Sequence, residues 1–140
     1  MKIGSITEDK NKEKRISITP EISKKYISLG FEVTIEKGLA DHIGIVDDHF
    51  IKEGCKIESK ENILKNSDIL LQVNLPHEEN FKYFKEKNIL IGNFNSNNNT
   101  ELINSIKKKS SIFSLELLPR ITRAQSMDIL SSQANLAGYK

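Results

Sequence analysis

The sequence is short of several residues that mark particular protein classes. It has one cysteine, Cys55, and no tryptophan among its 140 residues, so no disulfide can form within the chain and we expect a reducing compartment, the cytoplasm by default. Apolar residues occur only in short runs, the longest over residues 68–73, far below the roughly 20 residues of a membrane helix. The amino terminus turns acidic before a signal-peptide core could form. These absences predict a soluble chain without direct membrane insertion.

Charge of one sign is also lacking. Lys and Arg number 21 against 19 Asp and Glu, a formal net charge of +2, so the cationic field of a nucleic-acid-binding protein is missing. The basic run at residues 107–109 has no interleaved aromatic residues and is interpreted as a solvated helix end. The length fits one domain of about 100–150 residues, and the spread of apolar blocks along the chain favours a packed core over disorder.

The common motifs for phosphate and metal binding are missing as well. No G-x-G-x-x-G turn for a dinucleotide is present. Residues 38–44 have the glycine spacing of a phosphate loop, but no Lys, Ser or Thr follows, and we interpret them as a turn. The histidines and Cys55 show no metal-ligand spacing. Polar neighbours predict that all three histidines lie at the surface: His42, His49 and His77.

What is present is an alternation of β-rich runs and helix-like stretches, which predicts an α/β fold of parallel strands joined by crossover helices. One helix has clear limits, because Thr19 can cap it, Pro20 suits its first position and Gly30 ends it. The predicted strands are residues 2–6, 31–36, 55–57, 68–73, 89–94 and 111–115, and the other predicted helices are residues 47–52 (stopped by Gly54), 60–65, 78–85 and 100–107.

A polar, asparagine-rich run, residues 93–99, follows the fifth predicted strand. A ligand-binding loop is one interpretation, because open parallel sheets bind ligands at the carboxyl ends of their strands. The favoured interpretation is a solvated loop, since Ile, Lys and Asn are abundant throughout the chain.

The most informative stretch follows the last predicted strand. Pro119 forces a turn, and Thr122 with Gln125 matches a capping box at a helix start. Arg120 and Arg123 beside that start suit an anionic or amide-bearing ligand, although the same residues also fit a purely structural role of ion pair and caps, which spacing alone favours. Helical spacing gives an apolar stripe of Met127, Leu130, Ala134 and Ala137 and a polar face of Asp128, Ser131, Ser132 and Asn135.

Residues 118–139 resemble the signature loop and following helix of the NAD(H)-binding domain in the alpha subunit of proton-translocating NAD(P) transhydrogenase. Residues 13–21, 29–38 and 67–76 support the resemblance, which covers nearly the whole chain. Alanine dehydrogenases share this fold and much of the pattern. The resemblance implies hydride transfer between NAD(H) and NADP(H), coupled to proton translocation through other membrane segments.

For the fold, the resemblance implies an open, mostly parallel sheet with helices on both faces, of the Rossmann or flavodoxin type. Residues 1–125 would form the amino-terminal α/β domain, and residues 126–140 would begin a long connecting helix. In that family a second subdomain with the glycine-rich turn follows, and we expect it to be missing from this chain, as in a fragment or a split or decayed gene product. Without a complement, we expect no catalysis and only very weak nucleotide binding.

The resemblance also assigns roles to residues after the last strand, at the nicotinamide end of NAD(H). Asp128 and Ser131 would hold the carboxamide, Gln125 would reach a ribose hydroxyl, and Arg120 would order the loop. Arg120, Gln125 and Asp128 are the implied catalytic positions, which align two nicotinamide rings without exchanging protons. The implied cofactor-binding residues are Arg120, Ile121, Thr122, Gln125, Ser126, Met127, Asp128 and Ser131.

Alanine dehydrogenase is a disfavoured alternative. Its reaction moves a proton as well as a hydride, and that family uses a Lys before a Glu-Pro pair and a His after the next strand. Here Asn74 and the histidine-free residues 93–99 occupy the matching positions. Arg15 matches a position that meets the substrate carboxylate in the dehydrogenases, and in this chain we favour a structural ion pair for it.

The implied partners follow from the same resemblance. They are NAD(H) itself, NADP(H) on a partner domain, the remaining transhydrogenase alpha and beta subunits, and a second copy in a homodimer. The implied location is cytoplasmic and peripheral to the inner membrane. An alternative of another class is a non-catalytic remnant or interaction module that keeps the fold.

Overall fold

Six strands form one sheet in the computed structural model, which describes residues 1–117. Every strand pairing is parallel, and the strand order is β3-β2-β1-β4-β5-β6. This is the order of a Rossmann-like, doubly wound sheet, so the predicted α/β class is confirmed. The strands are β1 (Lys2–Ser5), β2 (Glu32–Glu36), β3 (Lys56–Glu58), β4 (Ile69–Leu71), β5 (Asn88–Gly92) and β6 (Ser110–Ser114).

Helices connect these strands, and most of them follow the sequence signals. The Thr19 hydroxyl accepts a hydrogen bond from the Ile22 N–H at 3.2 Å, and Gly30, with φ +98°, follows the helix end as predicted. The α-helices are α1 (Pro20–Ser28), α2 (Asp47–Lys52), α3 (Lys60–Asn66) and α4 (Thr100–Ile106), and 3₁₀ helices cover Asp41–Ile43, Glu78–Tyr83 and Leu115–Leu117.

Two apolar clusters lie on opposite faces of the sheet. Side chains of α1 and α2 pack over β1 and β2 in the first cluster, and side chains of α3, α4 and the Glu78–Tyr83 helix pack over β4 and β5 in the second. Burial of both faces explains why the strands read as apolar runs. The main members are Ile3, Val33, Ile35 and Phe50 in the first cluster, and Ile63, Leu70, Leu90 and Phe94 in the second.

Three predictions differ from the structure. The helix predicted over residues 78–85 is a 3₁₀ helix, because Phe81 and Phe84, three residues apart, are both buried and three-residue periodicity aligns such pairs. The strand predicted over residues 68–73 is shortened to Ile69–Leu71, and other strand bounds shift by one or two residues. His42 is half-buried rather than at the surface, with Nε2 2.8 Å from the Lys14 carbonyl.

None of the helices within residues 1–117 has the length and apolar character needed to cross a membrane. The predicted domain limits, residues 1–125 and 126–140, fall partly outside the described residues and stay predictions.

Candidate functional site

The carboxyl edge of the sheet has a crevice between β1 and β4. Connections from β1 run toward β3, whereas those from β4 run toward β6, which makes this the topological switch point where open α/β sheets bind ligands. The segments that follow β1 and β4 meet there. They bring together five polar side chains: Glu8, Glu13, Arg15, Gln72 and Asn74.

Gln72 holds the two segments together from inside. Its side chain is 3% exposed; its Oε1 accepts from the Ile6 N–H at 2.8 Å and its Nε2 donates to the Ile6 carbonyl at 3.2 Å. The Ser5 hydroxyl also donates to Oε1, at 3.3 Å. Backbone pairing of β1 with β4 covers only two residue pairs, so the Gln72 amide continues the connection where the strands diverge.

The carboxylate of Glu8 occupies the crevice at the end of β4. It accepts hydrogen bonds from the backbone N–H groups of Val73 and Asn74, at 2.5 and 3.0 Å. Burial raises the pKa of Glu8, the two backbone hydrogen bonds oppose this shift, and the nearby Glu13 charge adds to it. Two donors that would suit an anionic ligand at a switch point are therefore used by the chain's own carboxylate.

Glu13 and Arg15 form a bidentate ion pair beside Glu8. Arg15 Nε and Nη2 lie 2.8 and 2.9 Å from the two carboxylate oxygens of Glu13, and Asn74 Nδ2 donates to Glu13 at 2.9 Å. These interactions, above all the Arg15 hydrogen bond, lower the pKa of Glu13 to about 2. The predicted structural ion pair of Arg15 is confirmed, and the Asn74 amide is committed to the same carboxylate.

Cavities flank this cluster on both faces of the sheet. One, of about 770 Å³, extends from Glu8 and Asn74 to the loop after β5. The other, a groove of about 330 Å³, has mostly apolar walls with polar groups at its rim. It ends at Leu115, close to the point where the chain continues into residues 118–140. Its lining includes Arg15, Ser17, Tyr26, Leu71, Ile91, Asn93 and Leu115.

The asparagine-rich loop after β5 is anchored to the end of β6. The Phe94 N–H donates to the Ser114 hydroxyl at 3.1 Å, and the Ser96 N–H donates to Glu116 at 2.8 Å. Asn97 and Asn98 are exposed, as a solvated loop predicts. The loop nevertheless lies at the carboxyl edge and contributes Asn95 and Asn99 to the larger cavity, so a ligand-binding role stays open.

Sequence reasoning missed Glu8 and Gln72 as members of this site. A single polar residue inside the apolar run of residues 68–73 is a signal for a buried hydrogen-bonding amide. The predicted cofactor-binding residues, by contrast, lie outside the described residues, and their roles stay predictions: Arg120, Ile121, Thr122, Gln125, Ser126, Met127, Asp128 and Ser131. Within residues 1–117, no group of three or more His, Cys, Asp or Glu is placed to hold a metal ion.

Comparison with known proteins gives a consistent picture. The sequence model of the family described as "Alanine dehydrogenase/PNT, N-terminal domain" matches residues 4–137. The chain is 37% identical over 147 aligned residues to the first of the separately encoded pieces of NAD(P) transhydrogenase subunit alpha from Rhodospirillum rubrum, a match over all of this chain and 38% of that protein. The structure of transhydrogenase from Sinorhizobium meliloti aligns with a TM-score of 0.92 and 35% identity, over 99% of this chain and 42% of that one.

A more distant relative is alanine dehydrogenase 1 of Staphylococcus aureus, 30% identical over 77% of this chain and 29% of that protein. The chain thus spans about two fifths or less of the length of these relatives.

Proposed function

Because the chain belongs to the alanine dehydrogenase/PNT N-terminal-domain family, we propose that it is the amino-terminal part of the NAD(H)-binding component of an NAD(P) transhydrogenase. The observation that carries this proposal is the near-complete structural match to the S. meliloti transhydrogenase. The alanine dehydrogenase relative aligns over less of the chain and with lower identity. The whole enzyme transfers hydride between NAD(H) and NADP(H) and couples this to proton translocation.

The groove beside Leu115 fits one end of such a cofactor. Its apolar walls, with Leu71 and Ile91, suit the flat nicotinamide ring, and Asn93 at its rim offers a donor and an acceptor for a carboxamide. In the adjoining segment, Asp128 and Ser131 would hold the carboxamide. Bound NAD(H) would supply or accept the hydride.

Other residues of that segment would complete the binding site. Gln125 would reach a ribose hydroxyl and Arg120 would order the loop, so the roles of these side chains are positional.

The charges at the switch point agree with a reaction that exchanges no proton with the protein. Glu13 stays ionised because its pKa is lowered to about 2, Arg15 stays cationic in the ion pair, and the Asn74 amide cannot take up a proton. An amino-acid dehydrogenase needs an acid or base at its substrate. The Asn74 position therefore disfavours alanine oxidation.

The proposal includes partners and a location. NADP(H) would be bound by a partner subunit, and the proton path would lie in the membrane segments of the remaining alpha and beta subunits. The assembled enzyme would contain two copies of this component and lie on the cytoplasmic side of the inner membrane.

The test is complementation. The chain is co-expressed with the missing carboxyl-terminal part of a related alpha subunit and the NADP(H)-binding partner, and reduction of a spectroscopically distinct NAD analogue by NADPH is followed. We expect turnover, and we expect Asp128→Asn to lower it by about a hundredfold through misalignment. Ser132→Ala, next to but outside the assigned set, is the control and should retain activity.

Oxidation of alanine by the complemented protein, without reduction of the NAD analogue by NADPH, would instead indicate the dehydrogenase. Absence of both activities in a folded, complemented assembly would favour the non-catalytic remnant.

A further inference from the structure

One face of the sheet is left uncovered over β5 and β6 by the helices of residues 1–117. Right-handed crossovers place α1 and α2 on one face and α3 and α4 on the other. The two buried clusters show this division, because α1 and α2 contribute to the β1–β2 cluster and α3 and α4 to the β4–β5 cluster. On the face that α1 and α2 occupy, the side chains of β5 and β6 belong to neither cluster.

Those side chains are apolar. Ile89 and Ile91 on β5 are half-buried, and Phe113 on β6 is 57% exposed. Alternation along a strand directs them away from Leu90 and Ile112, which belong to or pack against the opposite cluster. With the groove that ends at Leu115, they form a continuous apolar surface, which we call the β5–β6 face (Ile89, Ile91, Phe113 and Leu115). An apolar surface of this kind marks a place where something packs.

We propose that residues 126–137 of the same chain form a helix that packs on the β5–β6 face. Their apolar stripe, from Met127 to Ala137, extends over ten residue steps, about 15 Å along a helix at 1.5 Å per residue. The five residues of β5 or β6 extend about 16 Å, so the stripe and the strands match in length. Ala134 and Ala137 would let the helix approach the sheet closely.

The chain's own segment is a better occupant than a second copy because it is tethered. Residue 118 directly follows the Leu115–Leu117 turn, which borders the groove, and a short linker gives an effective concentration on the order of millimolar. Packing through the stripe turns the opposite face of the helix, with Asp128 and Ser131, away from the sheet. The packing stands independently of the proposed function, although it would fix the direction of those cofactor-facing groups.

Thiol accessibility in the full chain tests the proposal. Phe113→Cys puts a thiol on the β5–β6 face, and Ser105→Cys, at an exposed position of α4, is the matched control. The native Cys55 is 5% exposed and reports unfolding if it reacts. We expect maleimide to label the Cys at position 113 about tenfold more slowly than the Cys at position 105, since labelling requires the helix to open.

Stripe variants then identify what covers the thiol. Leu130→Asp should bring labelling at position 113 to the control rate, the milder Leu130→Ala should raise it partly, and Ser132→Asp on the polar face should leave it slow. Equal rates at positions 113 and 105 in the unmodified stripe would overturn the proposal. So would slow labelling that persists in both Leu130 variants while Cys55 stays unreactive, or protection lost on dilution, which would indicate a second copy.

Discussion

Gln72 is the residue on which the geometry of the crevice most depends. Gln72→Met keeps the length of the side chain but leaves the N–H and carbonyl of Ile6 without their buried partners. An unsatisfied buried polar group costs about 1–3 kcal/mol, so we expect the free energy of unfolding to fall by roughly 2–4 kcal/mol, measured by urea denaturation. Ile91→Met, at a half-buried apolar position, is the control and should cost less than about 1.5 kcal/mol. Equal losses would show that the Gln72 hydrogen bonds contribute nothing.

The Glu13–Arg15 ion pair predicts a pH dependence of stability. Because the pKa of Glu13 is lowered from 4.5 to about 2 in the folded chain, the pair stabilises the fold above pH 4.5, and this contribution is lost as the pH falls toward 2. Arg15 is 44% exposed, so we expect about 1–2 kcal/mol after solvent screening. Urea midpoints between pH 2 and 6 measure it, and Glu13→Gln should flatten the decline.

Glu8 provides the control, because its shift has the opposite sign. Burial raises its pKa above 4.5, so its ionisation opposes folding as the pH rises through that raised value. Glu8→Gln should therefore change stability above pH 4.5 and leave the decline below it intact. A decline that Glu8→Gln abolishes and Glu13→Gln does not would contradict the assignment.

Among the elements, β1 and α3 approach closely at Gly4. A Cβ there would lie 2.6 Å from Ile63 Cγ2 and would also meet the Ser67 hydroxyl. Gly4→Ala should therefore lower the free energy of unfolding by about 2–3 kcal/mol through overpacking. Gly44 has open space around it and a φ of +82°, so Gly44→Ala should cost only about 1 kcal/mol of backbone strain. Chemical denaturation compares the two, and a Gly44→Ala loss as large as that of Gly4→Ala would contradict the close approach.

The limits of these elements could be predicted where the signal was local. Thr19 and Gly30 bound α1 through their own backbone and side-chain preferences. The 3₁₀ form of Glu78–Tyr83 was missed because it depends on burial of Phe81 and Phe84 against a distant cluster. Likewise, the partner of Gln72 lies 66 residues away, a distance at which helical or strand periodicity gives no information.

For the whole molecule, alternation of strands and helices predicted the α/β class, but not the strand order. The order sets the switch point between β1 and β4 and the uncovered β5–β6 face. The site shows the same division. The Arg15 ion pair was predicted, because its partner Glu13 is two residues away, whereas the Asn74 contact to Glu13 bridges 61 residues and appears only once β1 and β4 are neighbours.

The last prediction concerns affinity for the cofactor. Much of the affinity of a dinucleotide site comes from a glycine-rich turn that binds the pyrophosphate, and the 140 residues contain no G-x-G-x-x-G. Titration calorimetry of this chain alone should therefore give a Kd for NADH weaker than about 1 mM. Adding the carboxyl-terminal part of a related alpha subunit should tighten binding by at least about a hundredfold, or 2.7 kcal/mol, and Asp128→Asn should reduce this gain. Micromolar binding of NADH by the chain alone would show that the groove beside Leu115 and the loop after it suffice, and would contradict the division of the site between two parts of the subunit.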